Sequence, residues 1–433
     1  MTDNPSRRRR IKAGGQLSMW DPEPEAQPAV RPALSRKPRQ RGQLALINPA
    51  MAEWARKGAG IPLDVAARRL RIKPETMIAW ETDAAKPTIP QLRRLARLYR
   101  RPMAAFYLPA PPRHFTVAKD FRRLPDQPPI AYSPDLLFAV RIAEYRRDVV
   151  LDLEPETPRS TFVGSASAQD QPAMLAQQAR VLFGVSLDDQ RTWDSEYAAL
   201  NGWKNAIEGL GALVFHFSDV KKTEIRGFSI SEPVLPVIAL NGGDSPNGRI
   251  FTLIHEFGHL LLGEGGSCDL ADFSHPSAPA LPVEVFCNAF AGSVLVPAEA
   301  LLDDQTVASA TGTTTWPDRE LSRLARRFRV SQEVVLRRLL TLDRTSEDFY
   351  QKWRSDFLAQ SDQEDERSSG RPSVAVMTVR DVGKPFARLI LDAYQSNDLT
   401  GGDVSELLGV RLKHLPAIEA RLAGADMLTG GER

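Results

Sequence analysis

Three residues of the segment TLIHEFGHLLLG have the types and spacing of a hydrolytic metal site: His255, Glu256 and His259. Residues four positions apart on a helix lie on one face, so the two imidazoles point to the same place. Imidazole nitrogens bind zinc at about 2.0–2.1 Å. The Glu256 carboxylate, beside the first histidine, can take a proton from a water that zinc has acidified. The alternative is a core helix whose histidines are merely hydrogen-bonded, but a chance match to these three positions is rare, on the order of one in a hundred.

A catalytic zinc needs a third protein ligand and an open fourth position. An HExxHxxGxxH arrangement is excluded, because position 262 is leucine and position 265 is glycine. Glu284 is favoured because it opens an apolar helical stretch that can pack against the first helix, although it could also be a solvated carboxylate at a helix start. Asn288 lies on the same face of that helix and could steady a ligand. The other candidates are Glu264, Cys268, His275 and Cys287, of which Cys287 is more typical of a core residue.

The chain resembles the ImmA/IrrE family of zinc metallopeptidases in four segments: Arg226–Ser229, Pro236–Asn241, RIFTLIHEFGHLLLG and Glu284–Pro297. The resemblance implies that His255, His259 and Glu284 bind zinc in the gluzincin pattern and that Glu256 is the general base. It also implies a substrate class, namely a cognate repressor or antitoxin-like DNA-binding protein, whose cleavage releases a stress or mobile-element response. The family commonly has alanine where Cys287 stands.

Composition and charge describe an ordinary globular chain with a basic beginning. The 433 residues are 42% hydrophobic and 25% charged, and the two cysteines are too few for a disulfide framework. No apolar run is long enough to span a membrane, and no secretory signal is present, so we expect a cytoplasmic protein. Residues 1–48 carry a net charge of +6 and residues 49–102 of +7, which leaves −11 on the rest. Such a basic head favours contact with a polyanion, or simply a solvated surface.

The basic head has the pattern of short helices joined by a tight turn. Helices are predicted at Met51–Lys57, Pro62–Leu70, Lys73–Glu81 and Gln91–Leu98. The run LDVAARRLRIKPETMIAWETDAAKPTIPQLRRLARLY resembles the XRE helix-turn-helix family, and the connector DFRRLPD resembles the subgroup that joins such a head to the peptidase. The positions of the third helix that are expected to face base edges hold few of the side chains that best distinguish bases. Two roles of the head therefore stay open, namely contact with the DNA backbone and contact with a protein. The candidate DNA contacts are Arg68, Arg69, Arg71, Lys73 and Thr76.

The remaining pattern predicts an α+β, mostly α fold: an N-terminal helix-turn-helix bundle, a gluzincin-like helical peptidase domain with a small sheet, and a C-terminal helical region. Strands are predicted at Ala212–Phe217 and Val234–Leu240. Helices are predicted at Pro134–Leu151, Ala173–Leu182, Arg249–Leu262 and Val283–Leu295, with an exposed linker at Ser361–Arg371. The predicted parts are a disordered basic tail at 1–48, the head at 49–108, a Pro-rich connector at 109–133, the peptidase at 134–345 and the C-terminal helices at 346–433.

Two features of substrate handling are left open by the sequence. The strand ending at Leu240-Asn241 could lie beside the zinc helix and pair with an extended substrate, or it could be an ordinary sheet strand. The side chain that stabilises the oxyanion could be His216, Arg249 or His275. Two functions therefore compete. One is a zinc endopeptidase that regulates transcription by cleaving a repressor, and the other is a non-enzymatic DNA-binding regulator whose zinc site is structural or vestigial.

Overall fold

The computed structural model describes residues 43–111, 132–263, 267–268, 282–310, 315–364 and 372–429; side chains are described in all of these except 267–268, 358–364 and 425–429. Contacts divide the chain into two compact units, Met1–Gln43 and Leu44–Arg433. The described part is mostly helical with one small sheet, which confirms the predicted α+β, mostly α class. None of its helices is both long and apolar enough to cross a membrane.

Four short helices form the head: α1 (Pro49–Gly58), α2 (Leu63–Leu70), α3 (Pro74–Glu81) and α4 (Ile89–Leu98). Thr88 and Gln91 form a reciprocal capping box at the start of α4, which satisfies backbone donors that the helix itself leaves free. The four helices pack around Met77, Trp80 and Tyr99. Ala45 and Ile47 are also buried in this core, so residues before the boundary at 48 that the sequence predicts for the basic tail belong to the head. Residues 1–42 of that tail lie outside the described residues.

Four strands form a single sheet in the order β1-β3-β2-β4. Their bounds are β1 (Leu213–Phe217), β2 (Gly227–Ile230), β3 (Val237–Asn241) and β4 (Ser267–Cys268). β1 runs parallel to β3, whereas β2 is antiparallel to both β3 and β4. β3 is therefore hydrogen-bonded on both sides. The idea that the strand ending at Leu240-Asn241 pairs with an extended substrate is wrong, because β1 and β2 already occupy both of its edges.

Long and short helices surround the sheet. Those before and within the strand region are α5 (Pro134–Leu153), α6 (Pro172–Phe183), α7 (Leu187–Thr192), α8 (Glu196–Glu208) and α9 (Pro246–Leu262). Those that follow it are α10 (Pro282–Leu295), α11 (Ala298–Leu302), α12 (Gln305–Ser309), α13 (Asp318–Phe328), α14 (Gln332–Thr341), α15 (Glu347–Glu364), α16 (Val374–Val382), α17 (Lys384–Gln395), α18 (Gly401–Leu408) and α19 (Leu415–Thr429). The linker predicted at 361–371 is helical through Glu364, and its remainder lies outside the described residues.

Both faces of the sheet are covered, and β1 and β3 are buried along their whole length. Successive side chains of a strand point to opposite faces. Val214 and Ile238 pack with α8, α9, α10 and the helices up to α15 on one face. Phe215 and Ala239 pack with α5 and α16–α19 on the other. The C-terminal helices therefore share one core with α5 and the sheet, and the candidate site lies on the opposite face, where α9 crosses β2 and β3.

Candidate metal centre

Helix α9 presents the two histidines of the HEFGH segment. The Ser245 side chain caps its start by accepting from the Gly248 backbone N–H, and Gly263 ends it in a left-handed conformation with φ of 68°. His255, Glu256 and His259 are all buried, at 0%, 0% and 2% exposure. Charged side chains are rarely buried so fully unless they are paired or bind a metal. The helix thus holds these three ionisable side chains in the interior, where each needs a partner.

Helix α10 brings the third donor because it packs very closely against α9. A side chain at Gly258 would place its Cβ 3.1 Å from Cys287 Sγ and 3.4 Å from Cys287 Cα, so only glycine allows this approach without movement. The close contact carries Glu284, one turn before Cys287, to the two histidines. Glu284 is 8% exposed in this position, so it is not a solvated carboxylate, and its role as a zinc ligand stays a prediction.

The donor atoms of three side chains converge on one point. His255 Nε2 lies 3.2 Å from His259 Nε2. Glu284 places Oε2 3.2 Å from His255 Nε2 and Oε1 3.3 Å from His259 Nε2. Ligands bound to a tetrahedral zinc at about 2.0–2.1 Å stand about 3.3–3.4 Å apart. Each separation therefore has the size expected between two ligands of one zinc ion, with a different Glu284 oxygen facing each histidine.

The charges of the cluster fit a cation at its centre. Burial alone would lower the pKa of His259, but contacts with Cys287 and Glu284 outweigh it and raise that pKa to about 10. Burial alone would raise the pKa of Glu284, but hydrogen bonds from His255 and His259 hold it far below its usual range. The protein thus stabilises a positive charge between the carboxylate and the imidazoles. Nitrogen and oxygen donors of this kind suit a divalent metal ion.

Asn288 orients one of the two histidines. Its Oδ1 lies 3.1 Å from His255 Nδ1, so this nitrogen donates to the amide oxygen when it carries the proton. The proton on Nδ1 leaves the lone pair of Nε2 directed at Glu284 and His259. Such a partner fixes the tautomer and the ring plane of a metal-binding histidine. Asn288 therefore contacts His255 directly, and its role in supporting a metal ligand stays a prediction.

Cys287 is a competing donor that the sequence did not favour. The ligand atoms of His255, His259 and Cys287 all lie within 4.8 Å of one another. Cys287 is fully buried, and it stands one turn after Glu284 on the same helix. Glu284 places an oxygen 3.2–3.3 Å from each histidine nitrogen, which favours the carboxylate as third ligand. Of the remaining candidates, Glu264, His275 and the side chain of Cys268 lie outside the described residues.

The part of the chain that holds the donor cluster also matches the model of a known family. Residues 208–340 match the model of a peptidase family, the IrrE N-terminal-like domain. The matched segment runs from the end of α8 through most of α14, so it contains every donor of the cluster. Over these residues the match supports the resemblance to the ImmA/IrrE family and suggests a metallopeptidase. A comparison with curated proteins finds none that matches the chain.

Within the IrrE-like domain, Glu256 occupies a buried position between α9 and the sheet. Its Cγ lies 3.6 Å from where a Cβ at Gly227 of β2 would stand. Burial raises the pKa of Glu256, while His259, His255 and the Ser229 hydroxyl act to lower it. Ser229 is close enough to act on this pKa, yet neither carboxylate oxygen has a hydrogen bond of normal geometry within the described residues. A buried carboxylate with open acceptor sites is available for a substrate or a water.

Ser229 and Gly227 are site residues that sequence patterns alone did not assign. Both belong to β2, a strand of four residues that contains a glycine and is too short for a periodicity signal. The only pointer in the sequence is the resemblance of Arg226–Ser229 to the family motif. A side chain at Gly227 would meet Thr252 Cγ2 at 2.5 Å, so glycine is needed for α9 to lie against the sheet here.

Two candidates for stabilising the oxyanion, His216 and Arg249, lie among the described residues, and both contact other groups. His216 on β1 is buried and places Nδ1 2.9 Å from the Arg380 carbonyl oxygen. Burial and the nearby cations Lys204, Arg249 and Arg380 keep the pKa of His216 well below its usual value, so it is neutral. Arg249 is buried near the start of α9, where its guanidinium lies 5.8 Å from the centre of the Tyr197 ring. No contact joins His216 or Arg249 to the donor cluster within the described residues, and His275 lies outside them.

The five candidate DNA contacts lie at the corner between α2 and α3. Arg68, Arg69, Arg71 and Lys73 are exposed there, and Thr76 is half-buried on the first turn of α3. Arg68 pairs with Asp64 at 3.0 Å on its own helix. The cations are therefore available to solvent at one corner of the head. A function for them stays a prediction.

Proposed function

We propose that this protein is a zinc-dependent endopeptidase that regulates transcription by cleaving a cognate repressor or antitoxin-like protein. The observation that carries the proposal is the convergence of His255, His259 and Glu284 at tetrahedral separations beside the buried Glu256. Two histidines and one glutamate are a donor set of catalytic zinc sites, in which the fourth position is left for water or substrate.

Each side chain has a separate task in this proposal. A bound zinc ion would polarise the peptide carbonyl and make a water acidic enough to attack it. Glu256 would accept the proton of that water and return it to the leaving amide nitrogen. Its raised pKa suits both steps, because a buried carboxylate holds a proton more firmly than an exposed one. Asn288 would keep His255 in the tautomer that presents Nε2 to the metal.

The substrate class is inferred from the whole chain. The match of residues 208–340 supports peptidase chemistry, and the resemblance of the chain to the ImmA/IrrE family points to a DNA-binding protein as substrate. The exposed cations at the corner of α2 and α3 would bring the enzyme to the same DNA or to the repressor itself. Such a head would raise the local concentration of substrate near the peptidase.

The test of catalysis is Glu256→Gln in the full chain, assayed for cleavage of a repressor encoded beside it. We expect cleavage to fall by roughly 10²–10⁴-fold while zinc content stays the same, because only the proton acceptor is removed. The matched control is Glu299→Gln, an exposed glutamate on α11, which should cleave at the wild-type rate. Zinc retained with cleavage undiminished in Glu256→Gln would contradict the assignment of the general base.

One observation favours a second candidate, a non-enzymatic regulator with a structural metal site. If the Cys287 sulfur joined the two histidines and Glu284, four protein ligands would close the site, as in structural zinc centres. This alternative expects tight zinc binding and no proteolysis by any variant. It also expects the full chain to shift a DNA duplex in a strongly salt-dependent manner. Cleavage by the wild-type protein that Glu256→Gln abolishes would exclude it.

A further inference from the structure

A second recessed site lies beside the face of the sheet that α5 and α17 cover, which is the face opposite the metal centre. It is a cavity of about 960 Å³, near the upper end of the usual range for small-molecule sites, about 300–1,000 Å³. The end of α5 with residues 154–161, the end of α8 with the turn into β1, and the first turns of α17 enclose it. Because these parts are distant in the sequence, the cavity is a product of tertiary packing.

The most buried residues that line the cavity are apolar. Val150 of α5, Leu213 of β1, Leu235 before β3 and Phe386 of α17 belong both to this lining and to the core on the same face of the sheet. Leu389, one turn after Phe386, is half-buried and lines the cavity as well. A hydrocarbon chain or a flat ring gains free energy by covering such a surface, because water leaves both partners. The inner wall therefore selects a ligand with an apolar body.

Leu235 is held in this wall in a strained conformation. Its φ of 52° is in the left-handed region, which residues other than glycine rarely adopt. Arg147 of α5 fixes the backbone there, because its Nε donates to the Leu235 carbonyl oxygen at 3.0 Å and its Nη2 donates to the Val234 carbonyl oxygen at 2.8 Å. Strain of this kind persists only where the surroundings enforce it, and it is concentrated at functional sites. The shape of the wall is thus fixed by the protein itself.

The segment 154–161 forms a polar mouth to the cavity. It is tied to the loop before β3, since the Ser160 backbone N–H donates to the Pro233 carbonyl oxygen at 2.7 Å. Glu154 and Glu156 line the cavity here and are exposed. Arg159 is the only cation among the described lining residues, and neither glutamate forms an ion pair with it or with any other cation of the described part. The mouth therefore offers two carboxylates to a positively charged group.

A third carboxylate of the lining, Glu208 at the end of α8, is neutralised by the protein. Its Oε1 lies 3.7 Å from Lys204 Nζ. Burial raises the pKa of Glu208, whereas Lys204 and Lys384 lower it. A Cβ at Gly383, whose φ is 81°, would collide with this carboxylate, so glycine is required where α17 begins. Glu208 therefore has its cations already, and a ligand cation would be bound by the two glutamates of the mouth.

We propose that this cavity binds a small apolar molecule that carries a protonated amino group. The apolar body would occupy the inner part of the cavity, and the ammonium group would lie at the mouth beside Glu154 and Glu156. A ligand with a carboxylate in that place would be repelled by both. The lysine side chain of a partner protein suits the cavity less well, because its four-carbon stem fills little of the space. The inference does not depend on the metal centre.

The test is calorimetric titration of the full chain at neutral pH with octylamine, octanol and octanoate, which share one chain length and differ in charge. Octylamine should bind most tightly and octanoate most weakly. Replacing both Glu154 and Glu156 by glutamine should weaken the binding of octylamine about three- to tenfold, the loss expected for exposed charge pairs, and leave the binding of octanol unchanged. The control is Asp152→Asn, which changes an exposed carboxylate of α5 that does not line the cavity and should bind octylamine as the wild type does.

A second variant blocks the apolar part of the cavity. Leu389→Trp adds volume at a half-buried position of the lining, so it should weaken octylamine and octanol alike by at least roughly tenfold, because less apolar ligand surface is then covered. Its control is Tyr394→Trp, at an exposed position of the same helix outside the lining. Three results would overturn the proposal. They are no binding of octylamine up to about 1 mM, octanoate bound as tightly as octylamine, or equal losses in each variant and its control.

Discussion

At the scale of single residues, the decisive question is which side chain completes the pair of histidines. Glu284 places one carboxylate oxygen 3.2 Å from His255 Nε2 and the other 3.3 Å from His259 Nε2, and the Cys287 sulfur belongs to a cluster with the same two histidines. The two residues stand one turn apart on α10, so a small rotation of either side chain changes the donor set. The geometry favours Glu284, and a pair of matched substitutions can separate the two.

We predict that Glu284→Gln loses far more zinc affinity than Cys287→Ser. Removing a supporting group of a zinc ligand typically costs 10–100-fold in affinity, and loss of a ligand itself should exceed roughly 100-fold. Cys287→Ser keeps the size of the side chain and should change affinity by less than about threefold if sulfur is not a ligand. Competition against a fluorescent chelator measures both. The reverse order of losses would make Cys287 the third ligand.

Much of the site could be predicted from residue spacing, and the part that could not depends on packing between helices. Four-residue spacing on one helix is enough to bring His255 and His259 together, since no tertiary information is needed. The apolar helical stretch that follows adds Glu284, and the resemblance implies the same residue. The proximity of Cys287 and Ser229 depends on how closely α10 and β2 approach α9, which glycines at 258 and 227 permit. A sequence pattern does not encode such interhelical distances.

At the scale of elements, helices were predicted more accurately than strands. Helix α9 begins at Pro246 and not at Arg249, because the Ser245 cap adds a turn that the apolar pattern does not show. The strand predicted at Val234–Leu240 begins only at Val237, where pairing with β1 starts. Leu235 has a φ of 52°, which is incompatible with an extended strand. Helix α8 and strand β2 were missed, since each is defined by its tertiary partners more than by its own periodicity.

Helix α5 carries a carboxylate whose titration should be visible in stability. Burial, with a contribution from Asp148, raises the pKa of Glu144 to about 7. Between pH 4.5, the pKa of this glutamate in the unfolded chain, and pH 7, the folded protein keeps a proton on Glu144 that the unfolded chain loses. The free energy of unfolding therefore falls as the pH rises through this range. We predict that Glu144→Gln removes this fall, about 1–2 kcal/mol after allowance for partial exposure. Urea unfolding of both proteins at several pH values measures the difference. Parallel pH profiles would contradict the raised pKa.

At the scale of the whole molecule, the head is joined to the sheet through α5. The Arg141 side chain reaches from α5 to the Gly58 carbonyl, and α5 packs with α16–α19 on the face of the sheet away from the metal centre. The division of 134–433 into a peptidase part and a C-terminal part stays a prediction, although α16–α19 share a core with α5 and one face of the sheet. A conformational change in the head can therefore reach the sheet through α5.

The contribution of Arg141 to this connection can be measured by hydrogen exchange. We predict that Arg141→Met lowers the protection of amides in α1 and α4 by an amount equivalent to about 1.5–3 kcal/mol, the usual worth of a hydrogen bond to a charged group. Amides of β3 should keep their protection, because the core of the sheet is untouched. Methionine preserves the apolar stem against Phe138, and Arg421→Met, an exposed arginine on α19, is the control. Unchanged exchange in α1 would mean that Arg141 does not hold the head, whereas an equal loss in β3 would mean that the head and the sheet unfold only together.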